Sequence, residues 1–175
     1  MATGVRSAGI LVFRRTGAAG VGGTAGAEAS AATGAAAVEV LLGHLGGPFW
    51  ARKQEHAWSA PKGEHEPDEA PLVAAHREFV EETGQPVPAG DLLELGSVRQ
   101  SGGKVVTLWA VEGDLDAAAC ASNTFTIEWP PRSGRTAEFP ELERFAWVDV
   151  ATARELVVKG QVAFLDRLLD RLAGT

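Results

Sequence analysis

The sequence predicts a single α/β domain spanning residues 1–175. Three observations carry this expectation. A chain of 175 residues suits one core and accommodates two only with difficulty. Its 45% hydrophobic and 22% charged residues are those of a globular chain able to bury a core. One segment of helical period, Pro71–Thr83, stands among a series of strand-like apolar runs.

The elements follow in order. Ala8–Arg15 reads as a first strand around the apolar run Ile10–Phe13. Thr16–Ala37 is almost wholly Gly, Ala, Thr, Ser and Val with one charge, Glu28, and offers little side chain to bury. It is expected to be a flexible loop at about 16–37, an enlarged hairpin connection. Val38–His44 alternates and then turns fully apolar, as a half-buried strand does. Gly46-Gly47-Pro48 breaks it, and a loop runs to Trp58. After the helix at Pro71–Thr83 come strands at Leu92–Arg99, Val105–Val111 and Thr124–Trp129, with a helix-prone stretch at Asp116–Ser122. Pro130–Arg135 is a loop, Phe145–Val150 a short strand, and Ala151–Val158 and Gln161–Leu172 two closing helices.

Composition excludes several classes of function. The net charge of −7 argues against binding nucleic acid through its phosphates, which requires a basic excess. A single cysteine, Cys120, leaves no internal disulfide framework and no cysteine-built zinc site. The apolar run near the start, ending at Arg14-Arg15, is too short for a secretory or membrane-spanning segment. A soluble, cytoplasmic protein with no membrane partner is expected, and a homodimer is compatible with the sequence.

The helix at Pro71–Thr83 carries the chemistry. Pro71 suits its first turn, where a missing N–H is harmless, and Gly84 suits the position that ends it. By the helical period, Leu72, Val73, Ala75, Phe79 and Val80 occupy one sector, expected to pack. Glu78, Glu81 and Glu82 gather on a second sector, with Ala74 one turn before them leaving room. Glu78 and Glu82 are like charges at i,i+4 near the helix C-terminus, where the macrodipole already disfavours anions. Arg77 stands at i,i+4 from Glu81 and can hold it. Convergent carboxylates on a rigid helix make an oxygen-rich site for a hard divalent cation.

These residues also carry a resemblance. Gly63, Glu69, Arg77-Glu78-Phe79, Glu81-Glu82 and Gly84 stand at the spacing of the Nudix box. A chance match at those positions is of order one in ten million per start point, from ordinary residue frequencies. The lead-in Trp58-Ser59-Ala60-Pro61-Lys62-Gly63 is similar as well. One position departs: the last of the box, usually aliphatic, is Gln85. The resemblance implies an α/β/α sandwich with a mixed central sheet and the box as loop-helix-loop. It implies a Mg²⁺-dependent hydrolase of nucleoside diphosphate derivatives, with Mn²⁺ able to substitute. Glu81, Glu82 and the main-chain carbonyl of Lys62 would hold the metal, with Glu78 as a further ligand or as the base and Arg77 orienting Glu81. Gly63, Glu69 and Gly84 would shape the loops. A further acid from outside the helix is expected from Glu138 or Glu141, ahead of the strand at Phe145.

Substrate contacts are less marked. Trp50, in a Gly-Pro loop beside Arg52 and Lys53, is the aromatic expected to meet a base; Phe49, Trp58 and Trp129 read rather as core. Arg132 and Arg135 lead Arg99 and Lys104 as phosphate-binding candidates. The chain has no tyrosine, unlike many diadenosine tetraphosphate hydrolases of the family, and no proline between Pro88 and Pro130, unlike its ADP-ribose pyrophosphatases. The nearest resemblance is to MutT-like bacterial enzymes acting on nucleoside triphosphates or on dinucleoside polyphosphates such as diadenosine tetraphosphate. The alternatives are a nucleotide-binding Nudix module without turnover, and an RNA 5′-end pyrophosphohydrolase, which the net charge disfavours.

Overall fold

The computed structural model describes residues 4–17, 37–100 and 102–174; the Gly/Ala-rich segment expected as a loop lies largely outside them. Strand β1 (Arg6–Thr16) runs through the centre of a seven-stranded mixed sheet. On one edge it pairs in parallel with β6 (Val105–Glu112), which pairs antiparallel with β5 (Leu93–Arg99). On its other edge it pairs antiparallel with β2 (Ala37–Leu45), but only over Phe13–Thr16. The two strands then part. Two short strands fill the gap: β3 (Trp58–Ser59) pairs with Gly43 and His44 of β2, and β4 (Lys62–Glu64) pairs with Ser7–Gly9 of β1. Strand β9 (Leu142–Asp149) closes the far edge of β2.

Alternation along β1 gives each face its core. Ala8, Ile10 and Val12 meet α1 (Pro71–Thr83) through Ala74, Ala75 and Phe79. Leu11 and Phe13 meet α2 (Val150–Leu156) and α3 (Val162–Ala173), the latter through Phe164, Leu165 and Leu168. Helices on both faces of a mixed sheet make the expected α/β/α sandwich. Among the described residues no helix is long and apolar enough to cross a membrane.

Two expectations change, and two further features were not read from the sequence. First, α1 has the expected bounds, with Pro71 in its first turn and Gly84 in the left-handed region at φ 68°, but it is rolled about its axis. Leu72, Val73 and Val80, expected to pack, are 36%, 61% and 48% exposed, whereas Ala74, Glu78 and Glu82 are buried. The face with the smallest side chains turns inward, because Ala74 and Ala75 let the helix settle closely on the sheet. Second, Asp116–Ser122 is not a helix: only Ala117–Ala119 forms a 3₁₀ turn, capped by the Asp116 carboxylate. Three alanines provide no apolar stripe to extend it. Third, Thr136–Pro140 is a strand, β8, forming a separate hairpin with β7 (Thr124–Glu128). Its register places Ala137 opposite Ile127 and Phe139 opposite Phe125. Fourth, Gln85 replaces the usual aliphatic contact with hydrogen bonds, its Nε2 donating to the Asp116 carbonyl and to Cys120 Sγ, each at 3.2 Å.

The roll of α1 is measurable. Phe79→Ala, at a wholly buried position, should cost about 3–5 kcal/mol in urea unfolding. Val73→Ala, on the exposed face, should stay within about 0.5 kcal/mol of wild type.

Candidate active site

The parting of β1 and β2 positions the site. Because β4 enters that gap beside β1, Gly63 lies directly beneath α1. A Cβ there would come within 2.0 Å of the Glu78 carboxyl carbon, so only glycine lets the carboxylate seat. Lys62 is paired with Gly9 but gives its N–H to Glu82 Oε2 at 2.7 Å rather than to the ladder. In an antiparallel strand a residue's N–H and C=O point the same way, so the Lys62 carbonyl also turns toward the helix side.

Arg77 organises the loop ahead of the helix. Its Nε and Nη2 grip both oxygens of Glu69 at 3.0 Å each, a bidentate pair, and Nη2 also reaches the Glu64 carbonyl at 3.2 Å. Nη1 binds Glu78 and only grazes Glu81, at 3.4 Å. The expected i,i+4 pair of Arg77 with Glu81 is present, but the shorter bonds of the guanidinium go to Glu69 and Glu78. The reason is burial, since Glu78 is 7% exposed and needs a cation more than the exposed Glu81 does. Hydrogen bonding to Arg77 holds the Glu69 carboxyl below its ordinary value.

Glu82 is 5% exposed. Burial first, then the nearby charges of Glu141 and Glu78, pushes its carboxyl up to about 8, against the pull of Lys62 and its N–H. Burial likewise raises Glu78, against Arg77, and lowers Lys62. These carboxyls are strained toward neutrality because too few positive partners stand near them.

Of the two further acids expected from the sequence, Glu141 rather than Glu138 lies with the helix acids. Glu138 points along the β7–β8 hairpin and accepts from the Thr124 hydroxyl, away from the helix. Glu141 faces the carboxylates through a relay of main-chain bonds: its N–H donates to Asn123 O at 2.9 Å, and the Asn123 N–H donates to Glu81 O at 2.9 Å. The hairpin's return thus lands on the C-terminal turn of α1. Glu78, Glu81, Glu82 and Glu141 line one cavity of about 520 Å³ together with Lys62, Lys104, Trp50 and Phe125. Trp50 lines this cavity, and Lys53 Nζ lies 4.9 Å from its ring centroid. Arg52, Arg132 and Arg135 are exposed and do not line it; Arg132 sits at the hairpin turn with φ 62°. The cationic side chains present are Lys62 and Lys104, the latter 3.2 Å from Glu64.

Sequence reading missed Phe125, Asn123 and Ser59 on this wall. A signal existed for Phe125, which alternates with Ile127 on one face of a strand. None existed for Asn123 and Ser59, which arrive through tertiary contacts.

Four carboxylates and an inward-turned carbonyl are hard oxygen donors, as Mg²⁺ or Ca²⁺ prefers, and the upward push of burial on the Glu78 and Glu82 carboxyls signals unbalanced negative charge. Among the described residues no three acids close on one point at metal-binding distance. Glu78 and Glu82 instead rest on N–H donors of Arg77 and Lys62. The set fits a cation that competes for those oxygens.

Residues 31–168 match the family model described as NUDIX domain. No curated protein matches the chain. The fold is similar to that of a binary complex of a C. elegans Ap4A hydrolase, 19% identical, with 98% of this chain and 99% of that one covered and a TM-score of 0.60. It is similar to the NUDIX domain of Shewanella oneidensis NrtR complexed with ADP ribose, 15% identical, covering 98% and 90% at a TM-score of 0.59. A mutT/nudix family protein from Listeria innocua is 13% identical, covering 97% and 94% at a TM-score of 0.57. At these identities the likeness is one of fold.

The raised Glu82 carboxyl has a sign that can be checked on metal-free protein. Its contribution to stability is whole below the ordinary value of 4.5 and is lost as pH rises through about 8. The melting temperature of wild type relative to Glu82→Gln should therefore fall across that interval, as followed by circular dichroism.

Proposed function

The chain belongs to the Nudix hydrolase family, and from that premise we propose that it hydrolyses a phosphoanhydride bond in a nucleoside triphosphate or dinucleoside polyphosphate, dependent on Mg²⁺. The observation that carries this reading is the convergence of Glu78, Glu81, Glu82 and Glu141 with two lysines and two aromatic rings on one cavity. Acids gather where a cation is to be held, lysines where phosphate oxygens lie, and aromatic faces where a base stacks.

Glu78, Glu81, Glu82 and the Lys62 carbonyl would hold the cation, here Mg²⁺ with Mn²⁺ as a substitute. Bound there, it supplies positive charge against the phosphate oxygens and makes an adjacent water more acidic. Arg77 seats Glu78 and opposes the rise that burial imposes on its carboxyl. Glu141, whose carboxylate has no bonded partner among the described residues, takes the proton from the attacking water. Lys104 and the Lys62 ammonium receive the phosphate oxygens that face away from the cation. Trp50 and Phe125 flank the nucleoside end. This leaves Arg52, Arg132 and Arg135 outside the reaction's immediate contacts.

A screen of nucleoside triphosphates, dinucleoside polyphosphates, nucleotide sugars and 5′-triphosphorylated RNA, with products identified by mass, tests the reading. Turnover of one of the first two classes is expected, abolished by chelation and restored by Mg²⁺ or Mn²⁺. If none is turned over while nucleotides bind, the chain is a nucleotide-binding Nudix module instead.

The position of the fourth acid is tested by substitution. Glu82→Gln and Glu141→Gln should each lower kcat by about 10²-fold or more, the usual scale for a group handling charge or a proton in the transition state. Glu138→Gln should remain within about twofold, read from steady-state kinetics.

A further inference from the structure

The structure points to Gln161, a residue of the C-terminal unit, as a positioning residue for the cation site. We infer that its side-chain amide, acting through Ser59 and Ala60, fixes the Lys62 main chain that faces Glu82. The inference rests on the reading that the carboxylate cavity holds a divalent cation.

Strand β3 ends at Ser59 and β4 begins at Lys62. Between them Ala60 and Pro61 cross the gap where β1 and β2 part, outside the regular ladder. Ala60 is 1% exposed, so its N–H and C=O need partners inside the protein. Both are met by one side-chain system reached from a position 101 residues away. Gln161 Oε1 accepts the Ala60 N–H at 3.0 Å, and Gln161 Nε2 donates to Ser59 Oγ at 2.8 Å. Ser59 Oγ then donates to the Ala60 carbonyl at 2.7 Å. The Ala60 N–H can only donate, so the orientation of the Gln161 amide and the direction of every bond in this ring follow.

Gln161 and Ser59 are each 2% exposed, so water does not replace either partner. The amide is itself anchored: the Gln161 N–H donates to Val158 O at 2.8 Å, and the Val158 N–H donates to Trp58 O at 2.9 Å. From Ala60 the link to the site is one residue long. Pro61 has a fixed φ and its carbonyl accepts from the Ile10 N–H at 3.1 Å, so the Gln161 bond to Ala60 and the β1 bond to Pro61 together set the direction in which the chain enters Lys62. Lys62 then presents its N–H to Glu82, and Gly63 seats Glu78. Supporting hydrogen bonds of this kind typically change metal affinity 10- to 100-fold when removed.

Mn²⁺ titrations followed by electron paramagnetic resonance, which reads binding without turnover, test this on wild type, Gln161→Met, Ser59→Ala, the double variant and Leu168→Ala. Leu168 packs in the core between α3 and the sheet and has no polar side-chain atom to enter the hydrogen-bonded link, so its variant reports loss of packing alone. All are measured where circular dichroism shows them folded. Gln161→Met and Ser59→Ala should each raise the Mn²⁺ Kd about tenfold. The double variant should add nothing further, and Leu168→Ala should stay within about twofold. An unchanged Kd in Gln161→Met, or an equal shift in Leu168→Ala, overturns the inference while leaving the cation site intact. If Gln161→Met does not fold, an unchanged Kd in Ser59→Ala overturns it. A wild-type protein that binds no Mn²⁺ overturns the cation reading, and this inference with it.

Discussion

Two carboxylates of like charge, Glu78 and Glu82, are buried one helical turn apart, and much of the surrounding structure answers to that. Moving an unpaired charge out of water costs several kcal/mol, so such groups persist only with compensation. Each carboxylate has one donor: the Arg77 guanidinium for Glu78 and the Lys62 N–H for Glu82. Neither donor suffices, since burial keeps both carboxyls raised. The shortage of positive charge is what makes the cavity receptive to a cation, because a bound divalent ion would relieve it.

The sheet supplies the room. Had β1 and β2 stayed paired along their length, their hydrogen bonds would have closed the floor beneath α1. Their separation after Phe13 and Val40 admits residues 58–64, whose main chain faces the helix with bonds to spare. Close approach then depends on small residues. Ala74 and Ala75 bring α1 onto the sheet, and Gly63 accepts the Glu78 carboxylate. Gly46 lets its loop meet the hairpin, where a Cβ would stand 1.8 Å from the Pro140 carbonyl oxygen.

The electrostatics are local rather than global. The chain carries a net charge of −7, yet Lys62 and Lys104 both line the acidic cavity. A polyanion approaching the surface as a whole is repelled, whereas a short phosphate chain that reaches the cavity would meet the side chains of two lysines. That contrast fits a small nucleotide better than a nucleic acid backbone, whose binding depends on many phosphates at once.

The sequence by itself determined the elements whose signals are local. Helical period, Pro71 and Gly84 define α1 to the residue, alternation defines the long strands, and the spacing of Gly63, Glu69, Arg77, Glu78, Glu81, Glu82 and Gly84 marks the acidic turn. Tertiary structure decided which face of α1 is buried, because packing favoured the alanines over the more apolar Leu72, Val73 and Val80. It also decided that Glu141 rather than Glu138 meets the helix acids, and Lys104 rather than Arg132 or Arg135 the cavity. These choices depend on where the β7–β8 hairpin returns and on which strand ends adjoin the gap. Contacts between residues 100 or so positions apart, such as Gln161 with Ser59 and Ala60, leave no period in the sequence. They exist only once burial has removed every other partner those polar groups could find.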